Sequence, residues 1–298
     1  MDSTPRNIAV GMGMLTAGAW TAAHLTSSAV HGWRPGAGES RAAGRLQVRT
    51  FGSGTPVVVL LHGMAAAGDC FGVGFDPLGD HATVVVPDLL GFGGSTTSPG
   101  PLTATDHLDA LDEALESLGL GDRPLVVVGH SMGGALALCW AARHTPRVRA
   151  VVTLCAALYR TRDEADGRVR QMGTAEALLA GDGPLPETLC GWMCRHRALA
   201  SWFAVAIRPG LPVTVARSAV KHTWDSYHGS LDGCLRSGDW EPALEELSAA
   251  GIPITLVEAA RDPVPVPGRA AAFAAALPTV RHEQHPTATH LLPLSDAS

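Results

Sequence analysis

The sequence predicts an α/β fold, a mostly parallel sheet with helices on both faces, and three observations carry that expectation. Short runs rich in Val, Ile and Leu alternate with helical stretches. Several of those runs are continuously apolar, as strands covered on both faces must be. The one long departure from the alternation, 155–250, looks helical throughout and sits between two strands, where it has to lie over an end of the sheet.

Taken in order, 8–30 is mostly apolar, and Ser27, Ser28 and Ala29 offer the small residues of a leader cleavage site. Asp2 offsets Arg6, however, so the positive end of a leader is missing. Thr16, Thr21 and His24 interrupt the run that a membrane span needs. The expectation is a helix packed on the domain, with a signal peptide or membrane anchor through 8–30 as alternatives. Residues 33–44, rich in Gly, Pro, Ala and Arg, read as a linker. Residues 45–51 alternate like an exposed antiparallel strand, and 56–61, 82–86, 124–128 and 148–154 are the continuous apolar runs. Residues 252–257 and 279–283 continue the series, while 103–118, 132–143 and 267–277 read as helices. Three parts result: an N-terminal helix and linker (1–44), an α/β core (45–154 and 251–298) and a helical cap (155–250). Trp192, Trp202, Trp224 and Trp240 fall in that cap with Phe203 and Tyr227. Each can be cap core. Together, Trp192, Trp202, Trp224 and Tyr227 suggest an apolar ceiling that contacts substrate.

Composition narrows the function. Of 298 residues, 46% are hydrophobic and only 17% charged, which excludes a disordered or coiled-coil chain. The net charge is −6, Lys221 is the only lysine and the arginines are scattered, so the basic stripe of a nucleic-acid partner is missing. Cys70, Cys139, Cys155, Cys190, Cys194 and Cys234 read as reduced thiols. Cys190 and Cys194, one helical turn apart near His196, lack a second cluster, so no metal is expected. A cytoplasmic location follows from the cysteine usage and the imperfect leader, with secretion or membrane association as the alternatives.

The chemistry concentrates at Gly129-His130-Ser131-Met132-Gly133. A G-x-S-x-G match alone means little, but this one follows an apolar strand and opens a helix, the sharp turn that lifts a nucleophile clear of a sheet. A neutral serine needs a base, and the base needs an acid to fix its tautomer. Asp262, in the turn after 252–257, is the favoured acid, with Glu258 and Asp163 as competitors. His290, in a loop beyond the last strand, is the favoured base over His282 and His285. An oxyanion requires N–H donors, for which Met132 follows the serine and Met64 follows the turn His62-Gly63.

These residues together resemble the α/β-hydrolase superfamily, in its capped, esterase-like and epoxide-hydrolase-like branch. The match runs through Leu61-His62-Gly63, Pro87-Asp88-Leu89-Leu90-Gly91-Phe92-Gly93-Gly94-Ser95, Gly129-His130-Ser131-Met132-Gly133-Gly134, Asp262-Pro263-Val264 and His290. The resemblance implies a triad of Ser131, His290 and Asp262, oxyanion donors at Met64 and Met132, and a supporting role for Asp88. It implies a small or medium, largely apolar ester or related acyl substrate, with no metal or organic cofactor. Carbon–carbon bond hydrolysis, perhydrolysis and a non-catalytic ligand-binding role are the alternatives. Ser131 stands where dehalogenase and epoxide-hydrolase relatives carry aspartate, and Thr289 where glycine is common. A long C-terminal helix usual in the family has no counterpart before Ser298, so the helix at 8–30 is expected to cover the sheet face in its place.

Overall fold

Among the described residues eight strands form one sheet: β1 (Glu39–Ala43), β2 (Leu46–Phe51), β3 (Val57–Leu61), β4 (Thr83–Pro87), β5 (Leu125–His130), β6 (Val148–Leu154), β7 (Ile254–Ala259) and β8 (Val280–His285). The computed structural model describes residues 30, 32–96, 102–208 and 210–295, with the backbone alone at 174–176. Across the sheet the order is β1-β2-β4-β3-β5-β6-β7-β8. β2 runs antiparallel to both β1 and β4, and every other pairing is parallel. The valine runs explain the core. Along β3, Val57, Val59 and Leu61 join one buried cluster while Val58 and Leu60 join the cluster on the opposite face, the period of two that a doubly covered strand requires.

The helices of the core are α1 (Ala104–Ser117) and α2 (Met132–Arg143). α1 begins at Thr103 through a capping box: the Thr103 hydroxyl accepts from the Asp106 amide and the Asp106 carboxylate accepts from the Thr103 amide. Between β6 and β7 lie α3 (Arg162–Met172), α4 (Thr174–Leu179), α5 (Pro184–Arg195), α6 (Arg197–Ile207), α7 (Val213–Ser218), α8 (Trp224–Ser230) and α9 (Trp240–Ala249). α10 (Arg269–Ala276) packs on β8, and α11 (Leu292–Ser295) follows the last strand.

Two expectations change here. Residues 33–44 are not all linker, because Glu39–Ala43 pairs with β2 as the edge strand. The stretch 155–250 is not uniform either. α9 lies on α2, with Trp240 buried, its indole N–H donating to the Tyr159 carbonyl at 2.6 Å. Trp240 therefore belongs to the packing of the core. The helix expected within 8–30 falls outside the described residues, apart from Val30. Among the described residues no helix is long and apolar enough to cross a membrane.

Candidate active site

The sheet order places one crossover where the chemistry needs it. From β3 the chain runs outward to β4, then returns to the other side of β3 as β5. Ligands of parallel sheets bind outside the carboxyl ends of the strands at such a switch point. Gly63 leaves the end of β3 there, and Ser131 leaves the end of β5.

Ser131 has φ 55° and ψ −120°, a conformation that costs a non-glycine residue energy and is held by its surroundings. Its amide donates to the Leu154 carbonyl at 3.0 Å, and its carbonyl accepts from the amides of Gly134 and Ala157 at 3.0 and 3.1 Å. The turn closes only because its flanks are bare. A Cβ on Gly129 would lie 2.1 Å from the Gly133 carbonyl oxygen, and one on Gly133 would lie 2.3 Å from that of Leu61. Gly129→Ala is therefore expected to destabilise the protein by about 3 kcal/mol or more, since backbone and not a flexible side chain must give way. Urea denaturation of the variant checks this.

Ser131 Oγ lies 3.1 Å from His290 Nε2, and His290 Nδ1 lies 2.8 Å from Asp262 Oδ2. The Asp262 side chain is fully buried. Burial pushes its carboxyl upward, but the His290 hydrogen bond, that ring's charge and the Val264 amide outweigh it and leave the group below its ordinary value. A carboxylate that stays ionised fixes the proton on Nδ1 and leaves Nε2 free to accept from the serine. The competitors lie elsewhere. Glu258 pairs with His282 at 3.0 Å, His285 Nδ1 accepts from the Ala288 amide, and Asp163 sits in the first turn of α3.

The loop after β3 approaches the serine closely: a Cβ on Gly63 would be 2.9 Å from Ser131 Cβ. Met64, partly buried, follows it, and the buried Met132 opens α2. His62 pins this loop. Its Nε2 accepts from the Leu89 amide at 2.8 Å, so the proton resides on Nδ1 and is donated to the Gly63 carbonyl at 2.7 Å. Asp88 holds the same region by accepting from the Gly68 and Gly94 amides at 2.7 and 2.6 Å.

Two neighbours of the site went unread in the sequence. His130 Nε2 donates to the His290 carbonyl at 2.8 Å, and the two rings stand 4.7 Å apart. Burial, with His290 adding to it, lowers His130 to about 3, so it is a neutral prop for the histidine loop. Cys155, with φ 50°, is buried against that loop, and its sulfur lies within 4.8 Å of the Asp262 and His290 ligand atoms. Neither has a sequence signal beyond its place at a strand's carboxyl end. Thr289 does not need a glycine's backbone: the non-glycine residues of positive φ among those described are Ala65, Ser131 and Cys155.

The aromatic residues expected to contact substrate have these surroundings. Trp202 is 56% exposed and stacks under the Arg217 guanidinium at 4.8 Å, while Trp192 is 41% exposed and leans on His196. Trp224 packs on His228 beside a depression lined by Leu102 and Thr103. Tyr227 is buried against His222. The four side chains are carried by three helices, Trp192 on α5, Trp202 on α6, and Trp224 and Tyr227 on α8, and α5 packs on both of the others. His196, engaged with Trp192, does not join Cys190 and Cys194, whose sulfurs meet each other.

A family model for the alpha/beta hydrolase fold matches residues 56–297, and the chain belongs to that family. Over 147 residues it is 33% identical to a pimeloyl-[acyl-carrier protein] methyl ester esterase of Chromobacterium violaceum, covering 48% of this chain and 54% of that protein. Lipase LipV of Mycobacterium tuberculosis is 36% identical over 140 residues, 45% of this chain and 48% of its own length. The chain thus spans about half the length of these curated relatives. Among solved structures, a thermophilic esterase from Thermogutta terrifontis superposes with a TM-score of 0.59 at 22% identity, covering 86% of this chain and 93% of the other. A bromoperoxidase from Bacillus anthracis gives 0.62 at 20%, covering 85% and 94%. Both share the fold.

Proposed function

We propose that the protein is a serine hydrolase that cleaves a small or medium, largely apolar ester through an acyl-enzyme. The observation that carries this reading is the continuous hydrogen-bonded line from Ser131 Oγ through His290 to the buried Asp262 carboxylate. Ser131 attacks the ester carbonyl and gives its proton to His290 Nε2. Asp262 stabilises the imidazolium, which then protonates the departing alcohol. Water, activated by the same ring, attacks the acyl-enzyme and frees the acid. The developing oxyanion is taken by the Met132 amide, which at the first position of α2 has no acceptor within its own helix, and by the Met64 amide. Ala156 and Ala157, which pack beside the turn, are apolar and suit an apolar acyl group.

Helices α3 to α8 act as a cap over this end of the sheet. What supports that reading is their attachment to the loops after β3 and β4: Ser226 Oγ donates to the Gly91 carbonyl, the Gly93 amide to the Lys221 carbonyl and Ser218 Oγ to Asp69. Two relatives, a methyl ester esterase and a lipase, agree with ester chemistry. Stopped-flow hydrolysis of a p-nitrophenyl butyrate series tests the proposal. It predicts a burst of p-nitrophenol about equal to the enzyme concentration when deacylation is the slow step, and a substituted acyl-serine on quenching. No release above the buffer rate across the series contradicts it.

A further inference from the structure

A cavity of 790 Å³ lies between the β1-β2 hairpin, the loops after β3 and β4, and helices α6 and α7, and neither Ser131, Asp262 nor His290 lines it. Its wall carries four cations, Arg49, Arg197, Arg217 and Lys221. Among the described residues none of the four forms an ion pair with a carboxylate. Arg49 spends its donors on the Ala37, Gly68 and Phe71 carbonyls, which carry no charge. Arg217 meets the Ser201 hydroxyl and the Trp202 ring, and Arg197 donates to the His222 carbonyl while its Nε is buried without a partner.

The two carboxylates of the wall, and Asp76 beside Arg49, attract these cations without pairing with them. Both oxygens of Asp88 are committed to the Gly68 and Gly94 amides. Asp69 accepts from Ser218 Oγ at 2.7 Å through one oxygen, its other oxygen is buried unpaired, and burial raises its carboxyl to about 6. Four cations gathered here repel one another, and Arg49 and Arg197, both partly buried, have lost part of their hydration, a cost that an incoming anion offsets. The volume falls in the range of small-molecule sites and exceeds what a bare inorganic ion fills.

We propose that this cavity binds a small organic anion bearing a phosphate or carboxylate group, at a site separate from Ser131. The guanidinium groups of Arg197 and Arg217 offer forked donors suited to such oxyanions, and the exposed Lys221 supplies a point charge at the mouth. Asp69, with one oxygen unpaired, and Ser218, whose proton goes to Asp69, line the same cavity and offer acceptors to a hydroxyl on the organic part. Nothing in this assignment requires Ser131 to turn over an ester.

Calorimetric titration of the full chain in a phosphate-free, low-salt buffer tests it, with pyrophosphate and citrate as separate probes. The expected result is one saturable site per chain for at least one probe, and the tighter probe identifies the group recognised. Lys221→Gln and Arg217→Gln should each weaken that binding at least about tenfold, while Arg281→Gln on β8 leaves it unchanged. Lys221 is exposed, so its replacement keeps the fold. Absence of saturable binding by either probe to the wild type overturns the proposal, as does binding that survives both cavity substitutions undiminished. Active-serine labelling of the same samples reports separately on Ser131.

Discussion

Ser131→Ala is expected to lower ester turnover by about 10⁴- to 10⁶-fold while leaving the fold intact, the loss that removal of a triad nucleophile produces. The residual rate comes from substrate binding and the oxyanion donors, which the substitution does not touch. Stability should stay within about 1 kcal/mol of the wild type. The backbone bonds that hold position 131, to Leu154, Gly134 and Ala157, involve no side-chain atom, and alanine at φ 55° is neither more nor less strained than serine. Measuring kcat beside the thermal midpoint separates the two effects. Turnover within tenfold of the wild type, in a folded variant, would mean that another group does the chemistry.

The second large effect is on stability and comes from buried histidines. His107, His130 and His222 are almost wholly buried, and burial, the leading cause in each, lowers them to about 4, 3 and 4. His62 is shifted the same way for the same reason. In the unfolded chain these rings titrate near 6.5, so between that pH and about 4 the unfolded state binds protons that the folded state refuses. Their stabilising contribution is complete above about pH 6.5 and is lost as pH falls toward the folded values. Each ring accounts for about 1.4 kcal/mol per pH unit in that window. The three rings with assigned values together remove on the order of 10 kcal/mol by pH 4, the scale of a whole domain's stability. Urea unfolding at pH 7, 5.5 and 4.5 should show a steep fall with proton uptake on unfolding. His107→Gln, which leaves the active-site residues alone, should reduce the steepness by about one proton. A stability flat from pH 7 to 4.5 would contradict the account.

Much of this architecture was readable from residue type because burial and chemistry leave marks on sequence. The valine runs marked the central strands, 132–143 matched α2, and the turn around Ser131 announced itself through glycines that backbone contacts demand. What escaped lacks such marks. β1, with the sequence ESRAA, buries only Ala43, since an edge strand is held by backbone pairing and needs no apolar face. The directions of the tryptophans at 192, 202 and 224 depend on how α5, α6 and α8 pack, which periodicity alone does not fix. His130 and Cys155 reach the histidine loop across β5, β6 and the β8-to-α11 connection, a meeting that only the strand order creates.

The claim on which the rest depends is an activated serine at position 131, and intact-mass analysis after exposure to a fluorophosphonate probe tests it without knowledge of the substrate. The account predicts a single adduct on the wild type, mapped to the peptide bearing Ser131 and missing in Ser131→Ala. An unmodified mass on folded wild-type protein, or an adduct that persists in the variant, would contradict it.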